Sequence, residues 1–464
     1  MANHTTRIFD RPTFVSSERR LARYVARPIL QFIRREVASG ILLLIATAAA
    51  LIWANVSFDS YHDFWFSDIS LHVHTWHIEM HVEQFVNDAL MALFFFVVGL
   101  EIKREMVTGR LNSPKVAALP GIAALGGMVV PALFFVAFNL GGAGADGWGI
   151  PMATDIAFAL GVVALLGSRV SAQVKLFLLT LAIVDDIGAI AVIAIFYTDD
   201  LSFTWLMLAA GGLVMTRVLR VARVWSILIY VIVGVFVWYA TFRSGVHATI
   251  AGVALGLLTP ARPLLNRAEA EELADEVPED PSADDIRHHA FQLQESVSVA
   301  ERLEDFLHPF TSYLIIPIFA LANAGIQLSG DSISNAASSN VTLGVIVGLV
   351  LGKPVGVVVF TWIATKMGFA LPKGMSWGQF VGLGLAAGIG FTVSIFITGL
   401  AFTDDAVIDE AKIGILAASA IAAVLALIVL RASARPESEE MDEEEELEEV
   451  FEEVVAKQIE TTQE

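Results

Sequence analysis

Asp185 and Asp186 stand side by side in the run VKLFLLTLAIVDDIGAIAVIAIF, residues 174–196, whose only other charge is Lys175 at its start. A stretch that long and that apolar is a bilayer-spanning helix. A carboxylate near its centre costs about 2.5–3.5 kcal/mol on insertion scales. Folding does not require that expense twice in succession, so the pair points to something bound inside, or crossing, the membrane. A purely structural reading, a buried ion pair or an accident of helix packing, is the alternative.

Three further features put polar groups at the same depth. Thr154 and Asp155 lie in the middle of another apolar stretch, PMATDIAFALG. Lys353 lies deep in VTLGVIVGLVLGKPVGVVVFTWI beside Pro354, which interrupts backbone hydrogen bonding. The stretch VGLGLAAGIGFTVSIFITGL carries Gly382, Gly384, Gly388, Gly390 and Gly399, a density that predicts local unwinding or very close packing.

Adjacent helix residues point about 100° apart, so Asp185 and Asp186 cannot both face one neighbour. One can line a wet cavity while the other pairs with a cation, and Lys353 is the only deep cation in the sequence. Asp155 and Lys353 are also placed to compensate the dipole ends of interrupted helices. Carboxylate, hydroxyl and carbonyl oxygens suit hard cations such as Na+, Li+ or H+. Two nearby carboxylates in a low dielectric resist simultaneous ionisation. A Na+ that displaces protons from the same oxygens makes binding mutually exclusive, and exclusive binding with alternating access is antiport.

The elements that must hold these residues are apolar spans at about 38–56, 86–101, 116–138, 149–168, 174–197, 203–216, 224–241, 246–259, 310–328, 341–365, 379–401 and 409–430. The 56% hydrophobic content of the 464 residues, with a mean hydropathy of +0.67, belongs to a membrane protein. The absence of cysteine excludes disulfides, thiolate catalysis and Cys-based metal sites. Residues 261–308 hold 13 acidic against 4 basic residues and residues 436–464 hold 14 against 1, so these two stretches account for the net charge of −20. No basic patch with interleaved aromatics supports a nucleic-acid partner.

Basic and bare connections alternate along the chain. Residues 1–37 contain eight arginines and 57–85 contain no Lys or Arg; Lys103, Arg104, Arg110 and Lys115 follow, then a bare 141–149, then Arg169 and Lys175. The alternation continues to Arg431 and Arg435 and places both termini in the cytoplasm. It divides the chain into a basic head (1–37), a twelve-span core (38–430) with an acidic cytoplasmic loop (261–308), and an acidic tail (431–464). Segment 57–85 concentrates His62, His72, His74, His77 and His81, and its alternating apolar positions predict a strand or hairpin. These histidines read as polar residues on the wet face of an extracytoplasmic hairpin; zinc binding or pH sensing is the alternative.

Several motifs occur together and in order: NDALMA from Asn87, VGLEIKRE from Val98, ATDIAF from Ala153, VDDI from Val184, SGVHAT from Ser244, LHP from Leu307, ANAG from Ala322, GKP from Gly352 and GIGFT from Gly388. In these, and along roughly residues 30–430, the chain resembles the NhaA-type sodium/proton antiporter family. The resemblance implies an all-α polytopic membrane protein of twelve transmembrane helices, with two crossed, interrupted helices at the fourth and eleventh spans. Polar, broken stretches at the fourth and eleventh spans suggest two repeats, spans 3–5 and 10–12, and the resemblance implies that they are inverted.

The resemblance further implies that Asp185 and Asp186 are the cation and proton site and that Lys353 is the salt-bridge partner of the first. Thr154 and Asp155 would face the break at Gly388–Gly390, and Glu101, Arg104, Glu105, His247 and Glu304 become candidates for pH response. It implies Na+, Li+ and H+ as cargo, no cofactor and no catalytic residue, electrogenic pH-regulated exchange, an inner-membrane location, and a homodimer contact through the hairpin. Asp305, just before Phe306-Leu307-His308, stands where some relatives would carry another histidine. Two other readings compete: a sodium-coupled organic anion symporter, and an intramembrane aspartyl protease, which needs its aspartates on facing helices, as Asp155 and Asp185 could be.

Overall fold

With no water in the hydrocarbon region, every backbone N–H and C=O must be satisfied within the protein, which drives each long apolar run into a helix. The computed structural model describes residues 37–433 apart from 74–75, 199–200, 223–226, 264, 266–268, 270–281, 283–294 and 373. The basic head up to residue 36, most of the acidic loop and the tail from 434 lie outside the described residues.

The helices are α1 (Val37–Val56), α2 (Phe58–Trp65), α3 (Val82–Val107), α4 (Pro114–Asn139), α5 (Ile156–Ala164), α6 (Ala172–Phe196), α7 (Phe203–Val221), α8 (Ile227–Arg243), α9 (Thr249–Leu258), α10 (Val299–Asn323), α11 (Gly330–Ser338), α12 (Asn340–Lys366), α13 (Trp377–Ala387), α14 (Phe391–Ala401) and α15 (Asp405–Ala432). Among the described residues nine helices are long and apolar enough to cross a membrane, counting α5 with the 3-10 turn Ala145–Met152 before it. The pair α13 and α14, bent by 48°, makes a tenth, and α8 and α9 are shorter apolar helices. Exposed Leu44, Ile45 and Ile52 along α1, and Met207, Val214 and Val218 along α7, present apolar surface of the kind that lipid solvates.

Between α2 and α3 the predicted hairpin is present. Strand β1 (Asp68–Val73) pairs antiparallel with β2 (Trp76–His81), Asp68 opposite His81 and His72 opposite His77.

A long helix, a broken span and a long helix occur twice in order: α4, Ala145–Ala164, α6, and then α12, α13–α14, α15. The two leading helices, α4 and α12, meet backbone to backbone. A Cβ on Gly126 would strike the Gly356 carbonyl, and one on Gly356 the Gly126 carbonyl. Packing that close supplies dispersion contact where helices gain nothing from hiding apolar surface from lipid.

Connections without Lys or Arg gather at one end of the bundle. The Tyr61 hydroxyl lies 2.6 Å from the Ala322 carbonyl, Asn139 donates to the Asn340 carbonyl, and Tyr197 donates to the Asp146 carbonyl. At the other end the connections bearing basic residues meet: Arg104 pairs with Glu304 at 2.9 Å, and Ala300 N donates to the Pro260 carbonyl. The alternation of basic and bare connections in the sequence is thus largely a division in space, with Arg243, next to Ser244, and Lys412, near Glu83, as basic residues at the bare end.

Candidate functional site

The first broken span descends as the 3-10 turn Ala145–Met152, runs extended through Ala153, Thr154 and Asp155, and resumes as α5. The second interrupts at Gly388, Ile389 and Gly390 between α13 and α14. The two breaks lie against each other. Asp155 N donates to the Ile389 carbonyl at 2.7 Å, and the Thr154 hydroxyl lies 2.9 Å from the Ala387 carbonyl. Backbone groups that lost their helical partners therefore find one another across the interface. Gly388 is required by closeness, since a Cβ there would meet the Leu349 carbonyl of α12.

Asp155 closes the positive ends of two half-helices at once. Its Oδ1 accepts from Phe158 N at 2.9 Å, capping α5. Its Oδ2 accepts from Thr392 N at 3.2 Å and from the Thr392 hydroxyl at 2.5 Å, at the start of α14. One carboxylate thus answers two sets of unpaired N–H groups and two macrodipoles. Thr392 is the partner that sequence reasoning did not single out. Its place two residues after the Gly388–Gly390 break, where a helix N-terminus needs a cap, is the signal that marks it.

Asp185 and Lys353 are both fully buried. Lys353 Nζ, at the start of the regular second half of α12, lies 2.6 Å from Asp185 Oδ2 and 2.8 Å from the Thr154 hydroxyl. That hydroxyl is in turn 2.8 Å from the same Asp185 oxygen. No described helix-end carbonyl takes a hydrogen bond from Lys353, so Asp155 caps the half-helices while Lys353 serves Asp185. Asp185 Oδ1 is buried without any hydrogen-bond partner. A buried carboxylate oxygen left unmatched is costly and calls for a partner that no described residue supplies.

Asp186, one residue on, is only partly enclosed and takes no hydrogen bond from a described residue. It lies within electrostatic reach of Asp185, Asp155 and Glu101. Glu101 in α3 is likewise within reach of Arg104 and Glu105. Arg104 bridges Glu105 at 3.8 Å and Glu304 at 2.9 Å, and the second Glu304 oxygen is buried without a partner. These four pH-response candidates therefore form one cluster that runs from the basic end of the bundle toward Asp186. His247 stands apart, in the turn between α8 and α9, at the end where bare connections gather.

The geometry separates the competing chemistries. A protease dyad needs two carboxylates sharing one site, yet Asp155 is committed to Phe158 and Thr392 while Asp185 is committed to Lys353 and Thr154. Among the described residues no three His, Asp or Glu side chains converge as a metal centre. What remains is a candidate hard-oxygen site: one orphaned and one partly enclosed carboxylate beside a hydroxyl.

The profile of the Na+/H+ antiporter 1 family matches residues 30–430. The chain is 45% identical over 430 residues to the Na+/H+ antiporter NhaA of Oleidesulfovibrio alaskensis, covering 89% of this chain and 95% of that one. It is 44% identical over 412 residues to the Na+/H+ antiporter NhaA of Escherichia coli, covering 88% and 98%. A third relative, the Na+/H+ antiporter NhaA of Rhodopirellula baltica, is 44% identical over 416 residues, covering 87% and 93%. With a buried and a partly enclosed aspartate side by side near two facing helix breaks, and with likeness running almost from end to end, this chain belongs to the NhaA family of Na+/H+ antiporters.

Proposed function

We propose that this chain exchanges Na+ for H+ across the cytoplasmic membrane by alternating access, with Asp185 and Asp186 as the shared ion site. The observation that carries this reading is the pair itself. Asp185 is buried with Oδ1 unmatched, and the partly enclosed Asp186 sits next to it on the same helix. Membership of the family and the names of the relatives supply the ions. Lys353 holds Asp185 in place, Thr154 joins that ion pair to the second break through its hydroxyl, and Asp155 keeps the half-helix ends neutral.

The reading extends further. Twelve spans follow if α8 and α9 each cross alongside the ten longer elements, with the broken spans crossing at their breaks and the two halves forming inverted repeats. The basic connections then face the cytoplasm and both termini lie there. Li+, also a small hard cation, shares the site. Two carboxylates can release more than one proton for each monovalent cation, so exchange is electrogenic. The Glu101, Arg104, Glu105 and Glu304 cluster, with His247 as a separate candidate, tunes the response to pH. The two-stranded sheet β1–β2 has unpaired edges, which favours addition of a second copy and a homodimer.

Dissipation of an imposed pH gradient by Na+, Li+ and K+ in everted vesicles, scanned across pH, tests the proposal. Na+ and Li+ should collapse the gradient, and the Na+-driven rate should vary with clamped membrane potential. No response to Na+ at any pH would overturn it, and a requirement for an organic anion would replace it with a symporter.

A further inference from the structure

We infer that Gly127 of α4 sets the size of the cation the site accepts, by leaving open the space beside Asp185 Oδ1. The inference rests on the proposed exchange at Asp185 and Asp186 and specifies one wall of that site. Three observations meet here. Asp185 Oδ2 is occupied by Lys353 and Thr154, so the oxygen free to take an ion is Oδ1, buried and without a partner. Gly127 is buried directly against it: a Cβ built on this residue would stand 3.9 Å from Asp185 Oδ1, 3.7 Å from Lys353 Cδ and 3.2 Å from Val357 Cγ2. The surrounding wall is rigid, because the same segment of α4 is pinned to α12 where Gly126 and Gly356 meet through their backbones.

Gly126 and Gly127 therefore do different things. A side chain at Gly126 collides with backbone, so glycine there serves packing. At Gly127 no backbone atom is among the nearest neighbours; the tightest is a methyl of Val357, which can give by a few tenths of an ångström. A methyl group is therefore sterically tolerable at Gly127. What it removes is room beside the unmatched oxygen of Asp185. Selectivity among hard cations of equal charge follows cavity size and ligand number, so a smaller chamber penalises Na+ before it penalises the smaller Li+.

The test is Gly127→Ala, read as apparent KM for Na+ and for Li+ in everted vesicles. The KM for Na+ should rise about tenfold, equivalent to about 1.4 kcal/mol, while that for Li+ moves by less than about twofold. Adding Val357→Ala to this variant gives the methyl somewhere to move and should return the Na+ to Li+ ratio toward that of the wild type. A merely structural role would shift both ions together or only the maximal rate. If Gly127→Ala fails to insert, Val357→Ala alone enlarges the same wall and should shift preference from Li+ toward Na+. Wild-type protein that exchanges both ions, with variants whose ion ratio does not change, overturns the inference and leaves the exchange function standing. Wild-type protein that exchanges neither ion overturns both.

Discussion

Replacing Lys353 by methionine isolates the charge of the buried pair from its packing. Methionine keeps most of the apolar stem and removes only the ammonium that lies 2.6 Å from Asp185 Oδ2 and 2.8 Å from Thr154. Asp185 then has one oxygen that already lacked a partner and another held by a single hydroxyl. Breaking a fully buried pair in this way costs about 3–5 kcal/mol, because the remaining charge is uncompensated. Lys353→Ala should cost more, since three buried methylenes are lost as well at about 0.8 kcal/mol each. Lys353→Arg, which keeps the charge, should cost less than either. The decisive variant is the double substitution Asp185→Asn with Lys353→Met. Replacing both partners of a buried ion pair by neutral groups of similar volume is often neutral or stabilising, so the double variant should regain most of what either single variant loses. Thermal loss of folded, monodisperse protein in detergent measures these variants, with Asp185→Asn alone completing the cycle. Losses that simply add in the double variant, or a Lys353→Met protein as stable as the wild type, would refute the pairing as the source of stability.

Asp186→Asn should abolish Na+-driven proton movement in vesicles while the protein still inserts; normal exchange would remove Asp186 from the site. Asp155→Ala uncaps both α5 and α14 at about 1–2 kcal/mol for each helix end, whereas Thr392→Val loses only part of one cap, so thermal stability should rank wild type, then Thr392→Val, then Asp155→Ala. Deleting residues 437–464 should leave exchange intact with a modest, salt-sensitive change in apparent ion affinity, since the tail's charge acts only within a Debye length of about 8 Å; complete loss of exchange in an inserted truncation would mean the tail is structural.

The parts of this fold that are legible in the sequence are those with one strong local signal. Apolar length marks the spans, and glycine density marks the break at Gly388–Gly390. Alternating apolar residues between Ile69 and Met80 mark a hairpin, and its register sets Ile69 opposite Met80 and Leu71 opposite Ile78. The fourth span is less clear: its first half begins at Ala145 as a 3-10 turn, whereas hydropathy alone starts it near residue 149. Gly, Asp and Trp in Ala145–Met152 lower the apolar average without preventing the turn. Thr392 is hidden for a different reason. A threonine in a glycine-rich apolar run has many uses, and only the approach of the first break gives it Asp155 as a partner.

Interrupting a helix inside the membrane is costly unless every freed backbone group is answered, and here the answer fixes where the chemistry lies. Asp155 must reach both α5 and α14, which holds the two breaks together. Holding them together brings Thr154 to the Ala387 carbonyl and, through the same hydroxyl, to Asp185 and Lys353. The result is a division of labour among three buried charges. Asp155 is saturated by donors and is occupied with capping. Lys353 neutralises Asp185 from one side only, through Oδ2. Asp185 Oδ1, on the side facing Gly127, is the oxygen for which the protein supplies neither donor nor counter-charge. On the proposed exchange, an ion arriving there would meet a carboxylate already held by Lys353 and Thr154 and already buried, so its binding energy need not be spent on building the site.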